Sequence, residues 1–199
     1  MQRSKPKVGV QESRILSYEI RAIKDEERRV SLSFSSEQAV SRWFGQEILA
    51  HDEGCIDLER LNNIGVGLWN HKRDYVLGRI ENAVLNAAEH KTYADIVFDD
   101  DEDSDRIYKK VKSGTLKGVS VGYRVDVWEE VMAGKTSSNG RFTGPAYIAT
   151  RWAPMEISIV SVPADDNVGV GRKLEEPWKR RDAPELSLLE RQVKLNLNY

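Results

Sequence analysis

A serine, a histidine and a glutamate that lie far apart in the sequence could together carry out nucleophilic catalysis. The chain contains three histidines and one cysteine, so few side chains can act as a base or a thiol nucleophile. A serine hydroxyl attacks a carbonyl group only when a base accepts its proton, and a third group must orient that base. Histidine, which titrates near pH ~6.5, suits the role of base. The three candidates are His71, Ser120 and Glu156.

His71 is the best candidate for the base. It follows Leu68-Trp69-Asn70, where an apolar strand gives way to a polar loop, so we expect its imidazole at the rim of the core. An ordinary surface histidine would fit the same pattern. His51, in an acidic loop, and His90, in a predicted hairpin turn, have weaker settings.

Ser120 is the best candidate for the nucleophile. It lies in the strongest strand pattern of the chain, Gly118–Val131, with a glycine two positions to either side. Glycines there would leave space over the hydroxyl and let a substrate backbone approach. A serine on a plain solvent-facing side of the strand is the alternative. The letters match the G-x-S-x-G nucleophile elbow, but the strand context does not.

Glu156 is the candidate for the third group. Period two places Glu156 and Ser158 on one face of an apolar strand. A carboxylate in such a strand is costly to bury without a partner. A histidine would serve as that partner, and so would an arginine such as Arg124 or Arg151.

The elements that must position these residues are mostly strands. The sequence predicts a hairpin of Ile15–Ile23 and Val30–Phe34, strands at Val66–Trp69, Leu77–Leu85, Thr92–Phe98 and Gly118–Val131, and a final pair at Ala146–Trp152 and Glu156–Val162. Helices are predicted at Glu37–Phe44, Asp57–Asn62 and, most firmly, after the acidic run at Arg106–Lys112. The fold class is therefore mainly β with a few helices (α+β).

The chain divides by composition into three parts. Residues 1–13 are polar and predict a disordered lead-in, residues 14–166 the folded domain, and residues 167–199 a charged tail with a short helix at Glu185–Val193. The densest basic stretch, Lys179-Arg180-Arg181, lies in that tail and is typical of a solvated segment.

Composition excludes several function classes. Net charge is −2 with no long basic stripe, which argues against nucleic acid as the main partner. No stretch approaches the roughly 18 apolar residues that span a bilayer, and Met1–Glu12 lacks the apolar part of a signal peptide. The single cysteine, Cys55, allows no internal disulfide and suits a reducing compartment. We therefore expect a cytosolic protein without a membrane or nucleic-acid partner.

A metal site is a weaker hypothesis. His51, Cys55 and His71 could supply zinc ligands, but their spacing matches no common zinc pattern. No phosphate-binding glycine loop is present in the sequence. The sequence predicts no cofactor and no metal.

An ordered set of short motifs resembles the caudovirus (tailed-phage) prohead serine protease family. The set runs from about Leu16 to Asp166, and it is more specific together than any one member. The matching segments are Ser33-Phe34-Ser35-Ser36-Glu37, Val40-Ser41-Arg42-Trp43-Phe44-Gly45, Asp57-Leu58-Glu59-Arg60-Leu61, Leu68-Trp69-Asn70-His71, Gly78-Arg79-Ile80-Glu81, Gly118-Val119-Ser120-Val121-Gly122-Tyr123, and Glu156-Ile157-Ser158-Ile159-Val160-Ser161-Val162-Pro163-Ala164-Asp165.

The resemblance implies a fold and a site. The family is similar to the herpesvirus assembly proteases, which implies a small β-barrel surrounded by helices. The family's Asn-His motif implies His71 as the base, and its Ser-x-Gly-Tyr/Phe strand implies Ser120 as the nucleophile. The order of residues places Glu156 as third member, where herpesvirus enzymes use a second histidine. Their glycine–arginine oxyanion loop has a possible counterpart in Ala133–Gly140 with Arg141.

The resemblance also implies a biological role. It implies a capsid-maturation serine endopeptidase that cleaves the major capsid protein, a scaffold protein or scaffold domain, and itself. The expected place of action is the interior of the phage prohead in the bacterial host cytoplasm, and self-association is possible. The alternatives are a non-catalytic assembly or scaffolding module on the same fold, and a metal-dependent hydrolase.

Overall fold

Strands dominate the structure, a computed structural model that describes residues 5–17 and 20–161. The strands are β1 Gln11–Ser17, β2 Ile20–Lys24, β3 Arg29–Ser36, β4 Val40–Arg42, β5 Gly45–Leu49, β6 Val66–Trp69, β7 Lys72–Asn86, β8 Lys91–Phe98, β9 Gly118–Val131 and β10 Ala146–Val160. The helices are α1 Glu59–Ile64 and α2 Glu102–Lys112, with a short 3₁₀ helix at Asp25–Glu27. The predicted class, mainly β with a few helices, is confirmed.

All ten strands belong to one sheet. Its main path runs β1-β9-β10-β6-β7-β8-β3-β2, while β5 pairs with β10 and β4 pairs with β5. Most neighbours are antiparallel, but β10 runs parallel to both β5 and β6. Strand β10 is thus the hub of the sheet, because it contacts three other strands along its length.

The hydrogen-bonded path is open among the described residues. Its two ends are β1 and β2, which are consecutive in the chain and separated by only two residues. The sheet therefore has to curve until its two edges come near each other, because a residue spans at most about 3.6 Å. A closed barrel of the herpesvirus type is not confirmed by this pairing and stays a prediction.

The predicted strand Ile15–Ile23 is in fact two strands with different partners. Strand β1 pairs with β9, whereas β2 forms the predicted hairpin with β3. A period-two pattern reports alternation of side chains and carries no information about which strand lies alongside. The prediction was therefore right about extended structure and wrong about one continuous hairpin arm.

The predicted final strand pair is also different, since β10 is one strand of 15 residues. Register shifts break its pairing with β9 near Arg151 and between Pro154 and Glu156. Pro154 lies between the segment that pairs with β5 and the segment that pairs with β6. Proline is tolerated at such bulges, so the strand continues past the point where a turn was expected.

One predicted helix was wrong and two were right. Residues 40–42 and 45–49, within or next to the predicted helix Glu37–Phe44, form the β4–β5 hairpin. Helix α1 matches the predicted Asp57–Asn62 within two residues. Helix α2 begins after Asp101, whose carboxylate accepts hydrogen bonds from the backbone N–H groups of Asp103 and Ser104. The acidic run is therefore an N-terminal cap.

The main core lies against β9 and β10 and is continuous across most of the sheet. Tyr123, Trp152 and Ile157 are fully buried there, together with Leu61 of α1 and Val111 of α2. Burial of this kind fixes the backbone of β9 and β10 in place. Side chains on the opposite face of these two strands are therefore held on a rigid support.

All described residues belong to one compact unit, Met1–Val168. Strand β1 begins at Gln11, so residues 11–13, predicted as part of a disordered lead-in, pair with β9. The polar side chains of these residues gave no strand pattern in the sequence. They form a strand all the same, because the hydrogen bonds between strands come from the backbone. The predicted tail, 167–199, and its helix Glu185–Val193 lie outside the described residues.

Within residues 5–17 and 20–161, no helix has the length and apolar character needed to cross a membrane.

Candidate active site

A tight hairpin turn presents His71. Strands β6 and β7 are joined by Asn70 and His71 alone, and Trp69 pairs with Lys72 across the turn. Both turn residues have positive φ, 49° and 59°, as a type I′ hairpin turn requires. Asparagine and histidine are among the residues that best tolerate this conformation. The backbone N–H of Asn70 donates to the Ile159 carbonyl (3.0 Å), which fixes the turn to β10.

Strand pairing brings Ser120 and Glu156 to the same place. In the β9–β10 ladder Ser158 is opposite Ser120, and Glu156 is opposite Gly122. Residues directly opposite each other project from the same face of the sheet. Ser120 and Glu156 therefore share the face that the His71 turn overhangs.

The His71 side chain lies within hydrogen-bonding distance of both Ser120 and Glu156. The distance from His71 Nε2 to Ser120 Oγ is 2.7 Å. On the other side of the ring, His71 Nδ1 lies 2.6 Å from Glu156 Oε1. The His71 side chain is 28% exposed, whereas that of Glu156 is only 10% exposed. An ionised carboxylate can only accept, so Nδ1–H donates to Glu156, and Nε2 faces the serine hydroxyl.

Ser158 is a member of this group that the sequence analysis did not assign. Its hydroxyl donates to Glu156 Oε2 (2.7 Å) and accepts from the backbone N–H of His71 (3.1 Å). Ser158 thus holds both the carboxylate and the histidine turn in position. The signal was its place two residues after Glu156 on the same strand face.

The glycines that flank Ser120 have a different role from the one predicted. A Cβ on Gly122 would lie 2.3 Å from Glu156 Oε1, and one on Gly118 would lie 2.8 Å from the Val160 carbonyl oxygen. Their missing side chains make room for β10 and its carboxylate. The expectation that they open space for a substrate is not what these contacts show.

A cleft of about 350 Å³ lies over the site, and we refer to it as the His71 cleft. Its lining residues are Gln11, Glu12, Ser13, Leu68, His71, Arg73, Gly122 and Glu156. A larger groove of about 710 Å³ runs along Phe44 and Met132, away from the three residues. The His71 cleft is lined by two of the three predicted residues, His71 and Glu156, so we regard it as the candidate active site.

The alternatives left open by the sequence can now be weighed. Arg124 forms its ion pair with Asp126 and Arg151 is exposed, whereas Glu156 lies 2.6 Å from His71, which is therefore its partner. His51 is fully buried, its Nε2 lying 2.8 Å from Ser35 Oγ and its Nδ1 lying 2.8 Å from the Leu49 carbonyl. Both of its ring nitrogens are therefore occupied. His51, Cys55 and His71 do not converge among the described residues, which counts against the zinc hypothesis.

A different trio in the described residues, Glu37, Asp52 and His90, places ligand-type atoms close together. Arg141 lies among them and forms ion pairs with Glu37 and with Asp52 (2.7 Å for the latter). The guanidinium group offsets part of their negative charge. Burial raises the pKa of Asp52, but the hydrogen bonds from Arg141 and Asn139 together with the charge of Arg141 outweigh it, so the Asp52 pKa is lowered.

Arg141 was also the predicted oxyanion-loop residue. Its hydrogen bonds go to Glu37, Asp52 and His90. Among the described residues, no hydrogen bond joins it to His71, Ser120 or Glu156. The oxyanion role of the loop 133–141 therefore has no support from these contacts.

Comparison with known proteins identifies the family of the chain. The model of the caudovirus prohead serine protease family matches residues 53–179, more than half of the chain. The chain belongs to that family. The matched region contains His71, Ser120 and Glu156, and the family resemblance inferred from the sequence is confirmed.

The chain is also similar to a protein named as the major capsid protein of Halomonas phage phiHAP-1. The two are 34% identical over 148 residues, which is 73% of this chain and 23% of the relative. The chain thus spans about a quarter of the length of that relative. The comparison with solved structures gives no match.

Proposed function

We propose that this chain is a serine endopeptidase that matures phage capsids. The observation that carries the proposal is the unbroken series of short contacts from Glu156 through His71 to Ser120, with distances of 2.6 and 2.7 Å. A hydroxyl, an imidazole and a carboxylate in that order form the arrangement that activates serine nucleophiles. Membership of the prohead serine protease family gives independent support.

The proposed reaction is acyl transfer to Ser120. The hydroxyl passes its proton to His71 Nε2 while Oγ forms a bond to the carbonyl carbon of the substrate. His71 then gives that proton to the leaving amine as the peptide C–N bond breaks. Water, activated by the same imidazole, releases the acyl group. Glu156 keeps the proton on Nδ1 and stabilises the imidazolium that forms in both steps.

We propose the major capsid protein, and a scaffold protein or scaffold domain, as substrates and partners. A relative named as a major capsid protein carries a region similar to this chain within a much longer protein. In such a protein the protease-like region and the capsid subunit belong to one chain and would enter the assembling shell together. The same reasoning favours action inside the prohead, where confinement raises the local concentration of substrate.

We also propose that residues 14–166 form the protease domain, curved into a small herpesvirus-like barrel, and that 167–199 are a separate tail. Support comes from the two edge strands, β1 and β2, which only two residues separate.

Co-expression with the major capsid protein tests the proposal. Gel analysis should show trimmed capsid protein with the wild-type chain and full-length capsid protein with Ser120→Ala or His71→Ala. Ser41→Ala, an exposed serine on the edge strand β4, is the matched control and should trim normally. If Ser120→Ala proheads are trimmed like the wild type, the chain is instead a non-catalytic assembly module.

A further inference from the structure

Strand β1 covers the proposed nucleophile. Ser120 is fully buried, although its hydroxyl lies 2.7 Å from Nε2 of His71, which lines the cleft. In the β1–β9 ladder Ile15 lies opposite Ser120, and the Ser120 hydroxyl donates to the carbonyl of Arg14 (2.9 Å). The chain therefore holds one of its own peptide bonds, Arg14–Ile15, against its own serine.

The direction of β1 suits a substrate. Residues 11–13, on the N-terminal side of that bond, line the His71 cleft. Arg73 donates to the side chain of Gln11 (2.9 Å), and Arg42 donates to the carbonyl of Ser13 (2.8 Å). An extended peptide that adds to a sheet edge is bound in this way, through its backbone and through alternate side chains.

The Arg14 side chain occupies a buried polar pocket. Arg14 is 1% exposed and pairs with Val121, so it projects to the core side of β9, away from the Ser120 side chain. We call the residues there the Glu47 cluster: Glu47, Arg42 and Tyr123. Glu47 is fully buried and accepts from the Tyr123 hydroxyl (2.6 Å).

Charge links Arg14 to this cluster. The pKa of Tyr123 is raised chiefly by burial and by the charge of Glu47, and Arg14 acts on the same hydroxyl in the opposite direction. Arg42 already forms an ion pair with Glu47 (3.4 Å), so the pocket offers a carboxylate and polar atoms to a basic side chain that would be costly to bury in an apolar core. The pocket thus matches the long basic side chain that fills it.

The direction in which the Ser120 hydroxyl points determines whether the serine is inactive or able to attack. A serine hydroxyl has one proton, and here it can point either to the Arg14 carbonyl or to His71 Nε2. In the first case the serine is held inactive. In the second, the oxygen is free to attack the Arg14 carbonyl carbon, which lies one bond of about 1.23 Å from the oxygen it now contacts.

We propose that β1 is an internal substrate, that Ser120 cleaves the bond between Arg14 and Ile15, and that the Glu47 cluster selects a basic residue before the scissile bond. This inference rests on the proposed function. Ser120 Oγ bonds to the Arg14 carbonyl carbon, the C–N bond breaks, and Ile15 nitrogen takes the proton from His71. Water then frees Arg14 as a carboxylate, leaving a chain that starts at Ile15.

Intact-mass measurement and N-terminal sequencing of the full-length chain over time test the proposal. The wild type should lose residues 1–14 at a rate independent of protein concentration, and Ser120→Ala should stay intact. Arg14→Lys should still be cut, whereas Arg14→Glu should slow cleavage at this bond at least about tenfold, because it would put a second carboxylate near the fully buried Glu47.

A peptide assay keeps the test independent of whether those variants fold. A synthetic peptide of residues 8–20 is incubated with the wild-type chain. Cleavage after its arginine, kept with lysine and lost with glutamate, supports the inference. If Ser120-dependent capsid trimming proceeds while neither chain nor peptide is cut after arginine, the inference is wrong and the proposed function stands. Absence of all Ser120-dependent cleavage overturns both.

Discussion

The structure contains two serine–histidine pairs with nearly the same spacing and different surroundings. Ser120 lies 2.7 Å from His71, and Ser35 lies 2.8 Å from His51. The other ring nitrogen of His71 faces the Glu156 carboxylate, whereas that of His51 faces the Leu49 carbonyl. His71 is partly exposed beside a cleft, and His51 is fully buried.

The difference shows what a serine–histidine contact needs before it can do chemistry. A carboxylate stabilises the imidazolium that forms when the serine is deprotonated, and a neutral carbonyl does so far less. Burial of His51 lowers its pKa to about 4, with Arg14 acting in the same direction, so it resists taking a proton. One pair is suited to proton transfer, and the other is a hydrogen bond that holds the core together.

Exchanging the two serines for alanine should give the largest contrast. Ser120→Ala removes the nucleophile and should reduce the rate of capsid-protein cleavage on the order of 10⁴-fold or more. Ser35→Ala should keep activity but lower the free energy of unfolding by about 1–3 kcal/mol, because His51 Nε2 loses its donor. Cleavage rates and denaturant unfolding measure the two effects.

A serine-reactive fluorophosphonate sharpens this test. Once residues 1–14 have been released, it should label the wild type and Ser35→Ala at Ser120, and it should leave Ser120→Ala unlabelled. Labelling of Ser35 in the native protein would contradict the distinction between the two pairs.

The second-largest loss of activity is expected at Glu156, the partner of the proposed base His71. Glu156→Gln keeps the shape of the side chain but removes its charge, and the rate of cleavage should fall about 10⁴-fold, as for other triads that lose their acid. The matched change at the other histidine is Glu37→Gln, since Glu37 accepts from the His51 backbone N–H. Equal losses of activity in the two variants would show that the carboxylate beside His71 has no special role.

The buried histidine should make stability depend on pH. The pKa of His51 falls from its ordinary 6.5 to about 4 on folding. Between these values the unfolded chain binds a proton that the folded chain does not, so stability falls as pH drops from 6.5 to 4. The loss should approach about 3 kcal/mol. Urea unfolding at a series of pH values measures it.

The control for this effect is His51→Gln, which keeps polar atoms near Ser35 and Leu49 but cannot titrate. Its stability should be lower at neutral pH and should vary less between pH 6.5 and 4. A pH profile as steep as that of the wild type would assign the effect to other groups.

The smallest of these effects is expected at Ser158. Ser158→Ala removes one hydrogen bond to the Glu156 carboxylate and one from the His71 backbone. Loss of a hydrogen bond to a charged group of about 1.5 kcal/mol corresponds to a rate roughly tenfold lower. Ser158→Thr should recover part of it, because the hydroxyl is restored. Steady-state cleavage of a peptide substrate measures both variants.

The sequence predicted the strands and residues of the site better than it predicted how those strands pair. Period-two patterns located β6 and β9 to the residue, and the ordered motifs pointed to His71, Ser120 and Glu156. Those residues are separated by 49 and 36 positions, so their proximity depends on how β9, β10 and the β6–β7 turn pair. Pairing partners are not encoded in local alternation, and the family resemblance alone assigned the three residues to one site.

What the sequence could not predict are contacts whose local pattern is ordinary. Ser35 and His51 pair across the core, yet nothing in their neighbours distinguishes them from surface residues. The split of Ile15–Ile23 between two partner strands is a matter of tertiary structure. The residues 37–44 looked helical because their strands are short and polar, and the β4–β5 hairpin is fixed by β10 instead.

The turn that carries His71 has no spare residue. A two-residue hairpin loop is the shortest that joins antiparallel strands, and its geometry depends on both φ angles being positive. One added residue would convert it to a bulged three-residue loop and rotate the imidazole away from its neighbours. The length of the loop, and not only the type of its residues, therefore determines the orientation of the His71 imidazole. Homologues that lengthen this loop would have to rebuild the site from another position.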